Sequence, residues 1–141
     1  MMNSLAGMKR QLMVALMSGG LLCAASAASA AELVLFEQDG CYRCDMWKEE
    51  VGKVYPLTKE AKVAPLRMVD IFSRMPEDLE FLGRVRFTPY FVVVNDGRKI
   101  GHIFGYNDEA SFYGMLEEIL DKVDQEKTSG NTQLVAPKDK S

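Results

Sequence analysis

Residues 33–47 read LVLFEQDGCYRCDMW and place two cysteines directly behind an apolar run. The run at 33–36 has no polar alternation, which is typical of a β-strand buried on both faces of a sheet. Asp39 and Gly40 then give a turn signal, and we predict that a helix begins at Cys41. The sequence therefore predicts that a Cys-x-x-Cys pair lies where a buried strand passes into a helix.

Helix and strand signals alternate after the two cysteines. The first helix is predicted to end at Pro56, because its apolar residues fit a 3.6-residue period up to that point. These apolar residues are Met46, Trp47, Val51, Val54 and Tyr55. Residues 66–71 form the second predicted strand. Pro76 with the two acidic residues behind it predicts a second helix, which carries Leu79 and Leu82 at helical spacing.

The remaining signals are a hairpin and a last helix. Residues 90–94 and 99–104 are predicted strands, and Asn95-Asp96-Gly97-Arg98 between them is a strong hairpin-turn signal. Asn107 or Asp108 can cap the last helix. Its predicted core face comprises Phe112, Met115, Leu116, Ile119, Leu120 and Val123.

The order of these elements predicts the fold class. A helix joins the first two strands, so they should run parallel, whereas the two hairpin strands should run antiparallel. The prediction is an α/β domain with a central mixed four-stranded sheet and flanking helices.

The N-terminus has the pattern of an export signal. Lys9 and Arg10 precede an apolar stretch at 12–22 and a run of small residues that contains Ala28-Ser29-Ala30. A basic start, a short apolar middle and an Ala-x-Ala end are typical of a secretory signal peptide. We therefore expect a cleaved signal at 1–30, a domain at 31–127 and a disordered tail at 128–141. A retained anchor at 12–31 is the alternative, and it would also export the domain.

Composition and charge exclude several classes of function. The chain has 17 basic and 20 acidic residues, a net charge of -3. Cleavage of the signal would remove Lys9 and Arg10 and leave 15 basic and 20 acidic residues, a net charge of -5. Such a domain has no basic footprint, so we expect no nucleic acid among its partners. Export would leave it two cysteines in a compartment where disulfides persist.

The cysteine spacing predicts a dithiol-disulfide couple. Backbone N–H groups and the helix dipole favour a thiolate on Cys41, and Arg43 adds a positive charge. Cys44 lies within reach of Cys41, so the pair can close reversibly. We expect Cys41 at the helix tip to be the exposed nucleophile and Cys44 the shielded resolving thiol.

Two other readings of the cysteines compete with redox chemistry. A structural disulfide that closes four residues would contribute only about 2 kcal/mol, against about 3 for a 15-residue loop. A zinc site needs four ligands, and beyond these two cysteines the domain has the single histidine His102. Cu(I) could accept the two thiolates, with Met46 as a third ligand. A Cu(I)-binding metal-delivery module thus remains an alternative.

The chain resembles the thioredoxin family over residues 33–120. The resemblance rests on the strand before Cys-x-x-Cys, the helix after it, and Thr88-Pro89 at the start of a later strand. It implies a thioredoxin-like fold, a cis Thr88-Pro89 bond beside the cysteines, and pairing of the Thr88 backbone with the partner segment. It also implies that no cofactor is needed.

Within that family the chain looks like the SoxS-type periplasmic thioredoxins of bacterial sulfur oxidation. The matching motifs are Cys41-Tyr42-Arg43-Cys44, Trp47, Tyr55-Pro56, Ala64-Pro65-Leu66-Arg67, Val69-Asp70, Phe87-Thr88-Pro89, Asp96-Gly97-Arg98 and Gly105-Tyr106. The resemblance implies a monomeric periplasmic thiol-disulfide oxidoreductase. Its partner would be an exported sulfur-carrier protein with a reactive cysteine or disulfide, and its electrons would come from an upstream thiol donor such as a membrane reductase. A general periplasmic disulfide oxidase or isomerase is the alternative enzyme.

Three departures from ordinary thioredoxins bear on the chemistry. Gly40 replaces the tryptophan before the first cysteine, and Tyr42-Arg43 replaces Gly-Pro, which leaves the reduction potential open. Leu35 replaces the buried aspartate that assists proton transfer from the second cysteine, so Glu37 or water would have to substitute.

Other polar and aromatic residues are given structural roles. Trp47 is predicted to pack in the core and Asp70 to form a turn. His102 is expected to be a surface or hydrogen-bonded residue of a strand. The acidic residues Glu117, Glu118, Asp121 and Asp124 are expected on the solvated face of the last helix.

Overall fold

The computed structural model describes residues 31–132. The strands in this part of the chain are β1 (Glu32–Glu37), β2 (Leu66–Asp70), β3 (Tyr90–Asn95) and β4 (Arg98–Phe104). The α-helices are α1 (Tyr42–Trp47), α2 (Lys59–Val63) and α3 (Glu109–Thr132). A π-helical turn, Lys48–Gly52, continues α1, and two 3-10 segments span Tyr55–Leu57 and Glu77–Leu82. The predicted signal peptide and residues 133–141 of the predicted tail lie outside the described residues.

The sheet has the predicted mixed architecture. Its strand order is β2-β1-β3-β4, with β1 parallel to β2 and antiparallel to β3. The β3–β4 hairpin is antiparallel, and its turn has positive φ at Asp96 and Gly97, as an Asp-Gly hairpin requires. The predicted four-stranded mixed sheet and its parallel first pair are therefore confirmed.

Two apolar layers cover the sheet and hold β1 in its centre. Leu33 and Leu35 face the layer formed with α1 and α3, which also contains Trp47 and Phe112. The alternate residues of β1 face a smaller layer closed by Leu79 of the second 3-10 segment. Because β1 is buried on both faces, the end of this strand is a rigid support for whatever follows it.

The first helix differs from the prediction in its second half. It is not one α-helix to Pro56, because α1 passes into a π-helical turn and a separate 3-10 segment follows. Pro56 lies in the first turn of that 3-10 segment, where a missing N–H costs no intrahelical bond. The prediction that Val54 faces the core was wrong, since its side chain is 45% exposed.

Helix α2 was not predicted. Its five residues are too few to show a hydrophobic period, but they carry a capping signal. The Thr58 hydroxyl accepts a hydrogen bond from the Ala61 amide at 3.2 Å, as an N-cap does. The helix directs Ala61 and Ala64 toward the core.

The segment after Pro76 is shorter and tighter than predicted. It is a six-residue 3-10 helix, Glu77–Leu82, and Gly83 ends it with φ of 69°. Leu79 is buried and Leu82 is half-buried, so the predicted apolar spacing is correct although the helix type is not.

Helix α3 begins as predicted and ends later. Asp108 accepts a hydrogen bond from the Ser111 amide at 2.9 Å and is therefore its N-cap. The predicted core face is buried except at Met115, which is exposed. The helix runs to Thr132, so the tail predicted from 128 begins inside it; no proline interrupts the chain before Pro137. Among the described residues, no helix is long and apolar enough to cross a membrane.

Candidate active site

A tight turn at the end of β1 places Cys41 at the start of α1. The Cys41 amide donates to the Gln38 carbonyl at 3.4 Å, and Gly40 inside this turn has φ of 74°. That backbone region favours glycine, which explains why Gly40 can stand where a tryptophan is usual in the family. The strand-to-helix junction predicted for the two cysteines is confirmed.

Cys41 and Cys44 are joined by a disulfide, with 5.2 Å between their Cα atoms. Cys41 caps α1, and its Sγ accepts a hydrogen bond from the Cys44 amide at 3.2 Å. The prediction that Cys41 is exposed was wrong, since it keeps only 8% of its surface accessible in the disulfide form; Cys44 keeps none and is shielded as predicted. A backbone donor aimed at a sulfur stabilises negative charge on it, so this geometry favours a thiolate at Cys41 over Cys44 after reduction.

The two residues between the cysteines differ in their surroundings and contacts. Tyr42 projects into solvent with 75% of its side chain exposed. The Arg43 guanidinium instead donates to the Tyr106 carbonyl at 2.5 Å and to Oδ1 of Asn107 at 3.1 Å. Arg43, predicted as a positive charge beside the sulfur, therefore also anchors the loop between β4 and α3.

Tyr106 is tied to the cysteine-bearing helix a second time. Its hydroxyl donates to Oε2 of Glu50 at 2.6 Å, and burial together with Glu50 raises the pKa of the Tyr106 phenol. Arg43 thus binds the backbone carbonyl of Tyr106, and Glu50 binds its hydroxyl. The β4–α3 loop is therefore fixed against the helix that carries the disulfide.

Thr88 and Pro89 lie at the start of β3, beside the same loop. The bond between them is cis, and the Pro89 carbonyl accepts a hydrogen bond from the Gly105 amide at 2.9 Å. Tyr90, the next residue, pairs with Phe36 near the end of β1. The sheet therefore brings Thr88 and Pro89 to the edge from which the Cys41 turn leaves.

An ion pair lies one helical turn beyond Cys44. The Lys48 ammonium contacts Oε2 of Glu37, and the hydrogen bond to Glu37 raises the pKa of Lys48. Glu37 is largely buried at the end of β1, and Lys48 occupies position i+4 from Cys44 on the same helix face. Leu35, which replaces the family's aspartate, is fully buried in apolar surroundings.

The residues assigned structural roles behave as predicted. Trp47 is fully buried, with its ring 5.2 Å from Phe91. Asp70 forms a turn, because its carboxylate accepts from the Phe72 amide at 2.8 Å. His102 lies on the exposed side of β4 between two aromatic rings. The acidic residues predicted on the solvated face of α3 are all exposed.

The part of the chain that the structure describes contains no cluster of three or more His, Cys, Asp and Glu side chains placed to hold a metal ion. The site residues that sequence reasoning missed are Glu50, Tyr106 and Asn107, which contact one another or Arg43 across at least 56 residues of chain. The one signal for them was the Gly105-Tyr106 motif of the resemblance.

Comparison with known proteins identifies the fold. The family described as a thioredoxin-like domain matches residues 23–120. The periplasmic thioredoxin SoxS from Paracoccus pantotrophus, in its reduced form, is 34% identical with a TM-score of 0.62, and the match covers 66% of this chain and 98% of that one. A search of curated proteins gives no match.

More distant solved structures share the fold. The Malassezia sympodialis thioredoxin is 20% identical with a TM-score of 0.53, over 64% of this chain and 78% of its own. A thioredoxin from Thermus thermophilus is 21% identical with a TM-score of 0.52, over 64% of this chain and 74% of its own.

Proposed function

The chain belongs to the thioredoxin-like family, and on that premise we propose that it is an exported thiol-disulfide oxidoreductase that reduces a sulfur-carrier protein. The observation that carries this proposal is the hydrogen bond from the Cys44 amide to Cys41 Sγ within a Cys-x-x-Cys disulfide. It makes the two sulfurs unequal, as a nucleophile and a resolving thiol need to be.

The reaction exchanges one disulfide for another. In the reduced protein the Cys41 thiolate attacks one sulfur of the partner's disulfide, and the partner's second sulfur leaves as a thiolate that takes up a proton. Cys44 then loses its proton and attacks Cys41 Sγ, which expels the partner's first sulfur as a thiolate. Two electrons pass to the partner, and the Cys41–Cys44 disulfide is left for an upstream dithiol donor to reduce.

We propose that Glu37, or a water molecule in contact with it, accepts the proton that Cys44 loses. Cys44 is fully buried, and burial disfavours the thiolate that it must become. Glu37 is largely buried and is paired with Lys48, and Lys48 lies one helical turn beyond Cys44.

Thr88 and the β4–α3 loop form the walls against which the partner segment lies in this proposal. Thr88 is half-buried at the start of β3, so its backbone can pair with an extended segment that carries the attacked sulfur. Tyr42 is exposed beside Cys41 and can contact the same segment.

The role in sulfur oxidation rests on sequence resemblance. The shared motifs surround the cysteines, the Thr88-Pro89 pair and Gly105-Tyr106, and the SoxS neighbour that carries 34% identity is described as periplasmic. Export is supported by the pattern of residues 1–30. N-terminal sequencing of the protein from the periplasmic fraction should begin at Ala31.

A trapping experiment tests the function. The Cys44→Ala variant, expressed with its own N-terminus, keeps the nucleophile and lacks the resolving thiol, so it should accumulate a mixed disulfide that dithiothreitol releases. We expect mass spectrometry to find one exported protein with a reactive cysteine in the adduct. Cys41→Ala/Cys44→Ala is the control and should capture nothing.

The other outcomes separate the alternatives. A broad ladder of unrelated exported proteins would overturn the sulfur-carrier assignment in favour of a general oxidase or isomerase. Absence of any adduct, with stoichiometric copper on the purified wild-type protein, would overturn the redox function in favour of Cu(I) delivery.

A further inference from the structure

The loop that leads into the Thr88-Pro89 pair carries two exposed arginines. Arg84 and Arg86 lie between Gly83, which ends the second 3-10 segment, and Phe87. Neither guanidinium forms an ion pair or a hydrogen bond with any residue that the structure describes. Asp70 and Glu80 line a neighbouring cavity together with Arg84 but form no ion pair with it. By contrast, Arg43, Arg67, Arg74 and Arg98 each have such a partner.

These two arginines line a groove that reaches the turn before Cys41. The groove has a volume of about 200 Å³, and its walls are Gln38, Ile71, Phe72, Arg84, Val85 and Arg86. Gln38 belongs to the turn whose carbonyl accepts from the Cys41 amide. The opposite wall leads within two residues to Thr88. The groove therefore lies between the turn that carries the nucleophile and the strand start where a partner backbone would pair.

Exposed aromatic rings flank the arginines. Phe72 is 80% exposed and Phe87 is 71% exposed. Large apolar side chains exposed together on one part of a surface are typical of an interaction site. Uncompensated guanidinium groups beside aromatic surface are typical of a polar, anion-accepting interface.

We propose that this groove, the Arg84/Arg86 groove, binds acidic residues that flank the reactive sulfur of the partner protein. This inference rests on the proposed function, because it names the class of partner segment for the same site. The domain is acidic overall, with 20 acidic residues against 17 basic ones in the whole chain. The net charge of the protein therefore does not attract acidic partners in general. Only the positive charge at the groove itself can attract them. Two arginines in a groove that reaches the Cys41 turn would steer an acidic segment toward Cys41 and raise the rate of encounter.

Two matched peptides provide the test. Each carries one cysteine in a disulfide with the same neutral thiol; one has aspartates on both sides of it and the other has asparagines. Reduced wild-type protein should react about tenfold faster with the acidic peptide at low ionic strength. This preference should fall toward unity at about 1 M salt, where the screening length is about 3 Å.

Charge-reversal variants locate the effect. Arg84→Glu/Arg86→Glu should lose or invert the preference and keep its rate with the asparagine peptide. Lys62→Glu/Lys122→Glu makes the same change in net charge at exposed positions on α2 and α3 and should keep the preference.

The outcomes separate this inference from the function on which it rests. Equal rates with both peptides at low salt, or equal loss of preference in the two variants, would overturn the acidic-segment assignment and leave the oxidoreductase intact. Failure of wild-type protein to reduce either peptide would instead overturn the proposed function.

Discussion

The backbone amide of Cys44 donates a hydrogen bond to Sγ of Cys41 across 3.2 Å. The contact joins two residues of the same helical turn and makes their sulfurs unequal, because the Cys41 sulfur receives an amide donor whereas Cys44 is fully buried. An amide donor lowers the free energy of a thiolate, and burial without a charge partner raises it. This difference supports the proposed order of steps, in which Cys41 attacks first and Cys44 resolves.

Arg43 should contribute to stability through the loop that it anchors. Its guanidinium donates to the Tyr106 carbonyl and to Asn107, so Arg43→Met should lower the free energy of unfolding by about 1 to 2 kcal/mol. Urea denaturation measures this loss. The control is Arg74→Met, whose arginine is exposed with one weak contact to Glu77 at 3.6 Å. Identical urea midpoints for the two variants would mean that the loop contacts add no stability.

Alanine substitutions at two glycines should change the free energy of unfolding in opposite directions. A Cβ on Gly101 of β4 would lie 2.7 Å from Cγ1 of Ile119, whereas a Cβ on Gly114 of α3 would meet nothing within 4 Å. Gly101→Ala should therefore cost about 1 to 3 kcal/mol of unfolding free energy through overpacking. Gly114→Ala should add about 0.5 to 1 kcal/mol, because alanine is the better helix former. Thermal melts of both variants measure these changes. A Gly101→Ala protein as stable as wild type would show that β4 and α3 are not closely packed.

His102 should remain neutral until the pH falls below the ordinary histidine range. The rings of Tyr90 and Phe104 exclude water from part of the imidazole, and this desolvation, with a smaller effect of Lys99, lowers the pKa of His102 from its ordinary value of 6.5. The unfolded chain takes up this proton at a higher pH than the folded protein, so His102 makes no contribution above 6.5 and lowers stability as the pH falls below it. His102 is the single histidine of the chain, so its imidazole resonances can be followed by NMR without ambiguity. A midpoint at or above 6.5 would contradict the prediction.

The sheet could be predicted from sequence because its signals are local. The apolar run at 33–36, the strand at 66–70 and the Asp96-Gly97 turn each lie within a few residues, and each has the predicted structure. Periodicity was less reliable at helix surfaces. Val54 and Met115 fit the apolar stripe and yet are exposed, because the stripe is wider than the surface that packs on the sheet.

The candidate site could be predicted only in part. Cys41 and Cys44 are three positions apart in the sequence, so their pairing and their place at a helix start follow from the motif alone. The contact between Arg43 and Tyr106 joins residues 63 positions apart, and no local pattern encodes it. The same holds for the Arg84/Arg86 groove, whose walls come from three separate loops.

The thiol pKa of Cys41 is the most direct test of its assignment as the nucleophile. The Cys44→Ser variant leaves one thiol in the described domain and keeps the backbone amide that faces it, so thiolate absorbance against pH reports Cys41 alone once Cys23 has been removed with the signal or replaced by serine. We expect a pKa below the free-cysteine value of about 8.5, because the Cys44 amide stabilises the thiolate. A pKa of about 8.5 or higher would contradict the assignment of Cys41 as the nucleophile.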